Sequence, residues 1–224
     1  MNPYRHLSIL GIIAVAAIVF AGEQMRDTSF AEDYGAVPAA IVPAFRALVH
    51  GEMSLAVAQS LSRLVTALFL HGDAQHIVYN MAFLWTFGYL TSQILGQWWA
   101  LVIFLLCGIC GNIVQVLLNV DSFGPIIGAS GAICGFEGVY FGLALRWQLP
   151  WPEVWPLAYP VPPLQLGAFA VLGFIADMYF LANHGEGIAY GAHIGGFLSG
   201  LAIATLVTML YPTVGAYERA GLKN

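Results

Sequence analysis

Long apolar stretches, separated by short polar or proline-rich ones, set the pattern of this chain. A bilayer core about 30 Å thick is crossed by about 20 apolar residues in helix. Six segments approach or meet that length: roughly 7–22, 76–95, 98–120, 127–147, 164–182 and 188–211. The pattern therefore predicts an all-α, polytopic membrane protein built as a bundle of six transmembrane helices. The first stretch is short and follows "MNPYRH", so it also has the look of a signal-peptide apolar region, with small residues near Ala21. An uncleaved span is expected, because the other five would otherwise lack a partner.

Two connections are too long to be plain turns. The one from about 23 to 62 contains "AFRALVHGEMSLAVAQSLSRLV", where apolar and polar residues mix at near-helical spacing. Such a segment suits the membrane–water interface better than a crossing. The other, "RWQLPWPEVWPLAYPVPP", holds too much proline for regular helix and is expected to be a stiff cytoplasmic linker. No internal repeat divides the chain. A single membrane domain is expected over 1–224: a core from about 7 to 211, an extracytoplasmic first loop over 23–62, and a short cytoplasmic tail over 212–224.

Composition sharpens this reading. Hydrophobic residues make up 59% of the 224 and charged residues 8%, with a mean hydropathy of +0.78. A soluble domain carries about 25% charged residues, so that class is excluded. The net charge of -5 says little, since much of the acid sits in the first connection (Glu23, Asp27, Glu32, Asp33, Glu52). There is no basic run to bind nucleic acid and no glycine-rich phosphate loop. Cys107 and Cys110 form a C-x-x-C inside an apolar span, with no neighbouring histidine or second cysteine pair. They read as small packing residues, and neither metal nor cofactor is expected.

Lysine and arginine in short loops set orientation. With the N-terminus inside, Arg5, Arg146, Arg219 and Lys223 are cytoplasmic, while Arg26, Arg46 and Arg63 fall in the first connection. Under the same assignment Trp98, Trp99, Trp147, Trp151 and Trp155 form an interfacial belt on one side. The expected topology is N-in, C-in.

Polar side chains inside a span are costly and are functional candidates by default. The set is short: His76 and Asn80, Ser130, Glu137, Asp177 and His193. Spans two, four and six run in the same direction, and His76, Asn80, Ser130 and His193 all fall near their starts. Parity alone then gathers four polar groups from three distant segments at similar depth. Serine becomes a nucleophile when a base within hydrogen-bond reach takes its proton, and His193 is available for that. Ser130 opens a helix, where unpaired backbone N–H groups favour developing negative charge. His76 and Asn80, four apart, face one side of their helix and could supply further oxyanion donors. Gly128 and Gly131 clear space around the serine. Gly196 and Gly200 form a G-x-x-x-G that lets span six approach span four closely.

Together, "HGDAQHIVYNMAFLWTFG" (71–88), "GASG" (128–131) and "GAHIGGFLSG" (191–200) resemble the rhomboid family of intramembrane serine proteases. The likeness covers the core, about 7 to 211. It implies a Ser–His dyad without a third acid, Ser130 as nucleophile and His193 as general base. It also implies an oxyanion hole from His76, Asn80 and the Ser130 backbone N–H, with His71 structural. The substrates implied are membrane-anchored proteins in the lipid bilayer, cleaved near their outer ends and reached laterally past the fifth span. Three positions depart from the family pattern. Cys134 stands where many members carry an aromatic that packs on the histidine, a role Tyr190 could take. The Trp-Arg pair of the first loop is missing, the first tryptophan being Trp85. Glu137 stands where an apolar residue is expected.

Glu137 lies seven residues past Ser130, on the same face but about 10 Å deeper, too far for direct proton exchange. A structural bond to a neighbouring helix is the favoured reading, ahead of a water-retention site or a partner for Asp177. The expected protein is thus an intramembrane endopeptidase of the prokaryotic plasma membrane, with its site toward the extracytoplasmic side. Two other readings stand beside it: a catalytically silent relative that binds transmembrane clients, and a small transporter using Glu137 and Asp177.

Overall fold

The computed structural model describes residues 6–25, 30–152, 161–185 and 187–211. Arg5, Arg26, Asp27, Trp155, Arg219, Lys223, the tail 212–224 and much of the proline-rich linker lie outside the described residues. Among those described, the backbone is helical with no strand. One isolated antiparallel bridge joins Ala36 to Ile126.

Helix α1 spans Leu7–Gln24 and is apolar all round, as a lipid-facing helix is. The first connection is not loose. It folds into α2 (Phe30–Tyr34), α3 (Pro38–Val49) and α4 (Leu55–Thr66), the last started by Ser54, whose hydroxyl accepts from the Val57 N–H. A 3₁₀ turn (Ala67–Phe69) follows, and the chain then bends by 81° into the next long helix. That bend turns α4 nearly at right angles to the helix that follows. Asn112 fastens it there, donating from its buried amide to the Leu64 carbonyl at 2.9 Å.

The second long helix begins as α5 (Ala74–Phe83), passes through one π turn (Leu84–Gly88) and continues as α6 (Tyr89–Leu95). It is followed by α7 (Gln97–Leu118), α8 (Ser130–Ala144), α9 (Pro163–Ala182) and α10 (Tyr190–Leu210). α1, α7, α9 and α10 are each long and apolar enough to cross a membrane, and the bent pair Leu55–Phe69 with Ala74–Leu95 adds a fifth candidate. The sixth expected span, α8, is short: fifteen residues make about 22 Å of helix, against a bilayer core of about 30 Å.

Shortness and burial go together in α8. It is the central helix, packed on α7, α9 and above all α10. Phe136, Val139, Tyr140 and Leu143 are wholly enclosed in the main core, with Phe104 of α7 and Phe197 of α10 beside them. Glycine makes this packing possible. A Cβ at Gly196 would run into the Gly131 carbonyl, and one at Gly200 into that of Gly135. Cys107, fully buried, fills the gap opposite Gly135 on the α7 side, the small packing residue its sequence context suggested.

Of the described belt residues, Trp98 and Trp151 are exposed, Trp99 is partly buried against the main core, and Trp147 is buried within it. It follows directly on α8, whose central position draws it inward.

Candidate active site

Three helix starts meet at one end of the bundle. The N-terminal turns of α5, α8 and α10 open into a cavity of about 950 Å³, lined among others by His76, Asn80, Ser130, Cys134, Glu137 and His193. Parity had gathered His76, Asn80, Ser130 and His193 from the sequence, and they do share this cavity. The α7–α8 loop, through Gly124 to Ile127, and Pro38 at the start of α3 form part of its wall.

Ser130 is the first residue of α8. Its Oγ lies 2.8 Å from Nε2 of His193, a contact across 63 positions of sequence. Both residues are partly buried. The approach depends on the backbone contact behind them: a Cβ at Gly131 would sit 3.1 Å from the Ala192 carbonyl, next to His193. Gly128 has φ +115, a conformation side-chain-bearing residues rarely adopt. A Cβ there would lie 2.7 Å from Nε2 of His76 and 3.8 Å from the serine Oγ. Gly128 is thus the space between Ser130 and His76, and any side chain would close it.

The first turn of α5 is held by Asp73, whose carboxylate accepts from the His76 N–H at 2.8 Å. This is an N-cap that fixes where His76 begins its helix. Sequence reading passed over Asp73, although an aspartate three residues before the histidine is the usual sign of such a cap. The Gly72 N–H donates to Nδ1 of His76 at 3.4 Å. A ring nitrogen that accepts leaves the proton of neutral imidazole on the other one, so Nε2–H of His76 points a donor toward Gly128 and Ser130. Asn80 donates one amide hydrogen back to the His76 carbonyl at 2.9 Å. Its NH₂ has a second hydrogen, and the residue lines the cavity.

His71, in the turn ahead of α5, is fully buried, its ring edge-on to His76 with centroids 5.0 Å apart. Burial, reinforced by the neighbouring His76, pushes its pKa down to about 4, so it is a neutral packing group at physiological pH.

His193 has a second partner. Its Nδ1 lies 3.1 Å from Oδ1 of Asp177 on α9, with both side chains mostly buried. The resemblance implies a dyad without a third acid, and here a carboxylate stands within hydrogen-bond reach of its histidine. Asp177 was singled out in the sequence, but as a partner for Glu137 or as part of a transporter, not as a partner of His193. A signal was available. Asp177 sits five residues before the end of α9 at Ala182 and His193 three residues after the start of α10 at Tyr190, so the two share a depth.

Cys134, one turn below Ser130, stands next to this pair: its Sγ, the Asp177 carboxylate and a His193 ring nitrogen lie within 4.8 Å of one another. These are three atoms a soft divalent cation could use, although the carboxylate and both histidine nitrogens already serve hydrogen bonds. Tyr190 also reaches the histidine, edge-on at 6.4 Å between centroids, and stacks on Phe180. Glu137 lines the cavity wall beyond Cys134 and makes no hydrogen bond to the described residues. The bond to a neighbouring helix expected for it is therefore replaced by a place facing the cavity, where water can solvate a carboxyl.

The arrangement can activate a hydroxyl. A carboxylate only accepts, so the Nδ1 proton of His193 goes to Asp177 and the Nε2 lone pair faces the serine O–H. Around the serine, the free N–H groups of the α8 start and Nε2–H of His76 surround a point where negative charge could develop.

Comparison with known proteins places these features in a family. The family model described as Rhomboid domain matches residues 58–210. The chain is 31% identical over 143 residues to "Rhomboid-like protease 3" of Toxoplasma gondii, covering 64% of this chain and 50% of that protein. It is 28% identical over 162 residues to "Rhomboid protease GluP" of Bacillus subtilis (strain 168), covering 70% and 28%. It is 29% identical over 135 residues to "Rhomboid protease GlpG" of Pectobacterium atrosepticum, covering 60% and 44%. The chain spans half or less of the length of each of these relatives.

Proposed function

The chain belongs to the rhomboid family, and from that premise we propose that it is an intramembrane serine endopeptidase. It is an integral, multi-pass membrane protein. Its substrates, on this reading, are membrane-spanning proteins cut in or near their transmembrane segments. The observation that carries the proposal is the 2.8 Å contact between Ser130 Oγ and His193 Nε2 at the wall of a polar cavity.

The chemistry is acyl transfer. Ser130 Oγ attacks the scissile carbonyl while its proton passes to Nε2 of His193. The carbonyl oxygen becomes an oxyanion, stabilised by the Ser130 backbone N–H, Nε2–H of His76 and the second amide hydrogen of Asn80. Collapse breaks the C–N bond, and His193 returns the proton to the leaving amine. Water then enters and attacks the acyl-serine as its proton passes to His193; the C–Oγ bond breaks, His193 returns that proton to Ser130 Oγ, and the carboxylic acid leaves. Glu137 and the polar cavity residues Gln75, Asn119 and Ser122 give that water a path.

The topology proposed with this activity is six spans, with α8 as the short fourth. A helix that falls short of the bilayer core puts the serine at its start below the membrane surface. With N-terminus and C-terminus inside, the site faces the extracytoplasmic side of a prokaryotic plasma membrane, and 1–224 act as one domain. The transporter reading loses ground because Asp177 is engaged with His193. A silent client-binding relative would not need the serine–histidine contact.

A fluorophosphonate probe applied to membranes should label the wild-type chain and not Ser130→Ala. Cleavage of a single-span reporter should be lost in both Ser130→Ala and His193→Ala. Equal labelling of wild type and Ser130→Ala, or intact cleavage by His193→Ala, would overturn the assignment.

A further inference from the structure

We propose that Asp177 is a positioning residue for His193, so that the site works as a serine–histidine–aspartate constellation assembled from three different helices. The proposal rests on the reading of Ser130 and His193 as nucleophile and base.

Four observations converge on it. The carboxylate meets Nδ1, the nitrogen that Ser130 does not use, at 3.1 Å. Proton placement follows: accepting at Nδ1 fixes the tautomer whose Nε2 lone pair receives the serine proton, and the negative charge stabilises the imidazolium that forms. Second, the acid stands on a helix otherwise given over to apolar surface. Leu172, Ile175, Met178 and Tyr179 of α9 are all exposed at the outside of the bundle. A carboxylate in such a setting is costly, and Asp177 is turned inward onto the histidine. Third, no competing cation shares it among the described residues. Arg146, on the turn after α8, donates to the Gly142 carbonyl and to Thr205 Oγ1 at the far end of the bundle. Fourth, the side chain beside the pair is small. Cys134 Sγ lies within 4.8 Å of both partners, close enough to pack on them.

The result is a division of labour within one hydrogen-bonded line. Asp177 holds the ring and its tautomer, His193 moves the proton, and Ser130 attacks. The carboxylate touches neither the substrate nor the serine. Its effect is therefore on turnover, not on substrate binding.

The test uses the full chain in detergent micelles or proteoliposomes, with a single-span reporter. Asp177→Asn keeps the shape but removes the fixed acceptor. It should lower kcat about 10²- to 10⁴-fold with KM within threefold of wild type. Fluorophosphonate labelling should slow in proportion, and Asp177→Glu should recover part of the loss. A readout independent of turnover is the Nδ1–H proton of His193, followed by NMR in histidine-labelled protein. It should be protected and far downfield in wild type and in Ser130→Ala, and absent in Asp177→Asn and His193→Ala. The proposal is overturned if Asp177→Asn and Asp177→Ala turn over within threefold of wild type while Ser130→Ala and His193→Ala are inactive. It is equally overturned if the downfield proton persists in Asp177→Asn, or if the variants raise KM and lower thermal stability without changing kcat. Intact cleavage by Ser130→Ala would instead remove the nucleophile assignment beneath it.

Discussion

The two helices that bring groups to His193 are held in opposite ways. α8 and α10 meet backbone to backbone: Gly131 faces Gly196, Gly135 faces Gly200, and a Cβ at Gly138 would run into the Phe197 carbonyl. α9 touches the same core through few places. Gly167 lies against Phe141, with room for a Cβ only at 2.8 Å from its ring, and Phe174 stacks on Phe197 at 4.7 Å. Of its twenty residues only Gly167 and Ala170 are fully buried, against ten of the fifteen in α8.

Ser130 and His193 thus ride on the most extensive helix–helix contact among the described residues, and Asp177 on a helix that leaves most of its surface exposed. On the proposed function, the 2.8 Å Ser130–His193 distance tolerates little play, since small misplacements of reacting groups are expensive in rate. Close backbone packing supplies that precision without side-chain freedom. A helix with a mostly lipid-exposed surface has no such restraint, because lipid is as apolar as the side chains it meets. Its position is set by the Gly167–Phe141 contact, by two ring stacks, Phe174 on Phe197 and Phe180 on Tyr190, and by the Asp177–His193 hydrogen bond.

The comparison can be broken first at its tight side. Gly196→Leu drives a side chain into the Gly131 carbonyl, and relief requires separating α10 from α8. It should cost about 3 kcal/mol or more, seen as a lower thermal midpoint in detergent together with lost fluorophosphonate labelling. If labelling survives, serine and histidine do not depend on that contact. On the loose side, Phe174→Ala removes the ring stacked on Phe197. Aromatic pairing of this kind is worth about 0.5–1.5 kcal/mol beyond burial, so a loss of about 1–2 kcal/mol is expected. Turnover should fall further than stability alone explains, because the ring helps hold Asp177 in place. The smallest effect belongs to the outer face of α9. Leu172 is 61% exposed, and Leu172→Ala should shift thermal stability by no more than about 0.5 kcal/mol and leave turnover unchanged. A larger shift would show that this face is packed against something.

Legibility in the sequence followed the same division. Long apolar runs located α1, α5 through α6, α7, α9 and α10 to within a few residues, because a bilayer allows few alternatives to a helix of that length. The small-residue spacing of Gly196 and Gly200 marked the close contact, since nothing else lets two backbones approach so nearly. The first connection was less legible: its near-helical spacing of apolar and polar residues was read, but its division into three helices was not.

Sequence by itself determined the helical membrane class, the family, and the four polar groups brought together by the shared direction of α5, α8 and α10. These follow from length, hydropathy and parity, which are one-dimensional. The tertiary structure alone decided that Asp177 faces His193 and that Glu137 faces the cavity instead of a neighbouring helix. Which way a residue turns depends on the rotation of its helix about its own axis. In water an amphipathic stripe reports that rotation. In a helix apolar on every side, as α9 is, no stripe exists, and only the packed neighbours fix which way its one acid points.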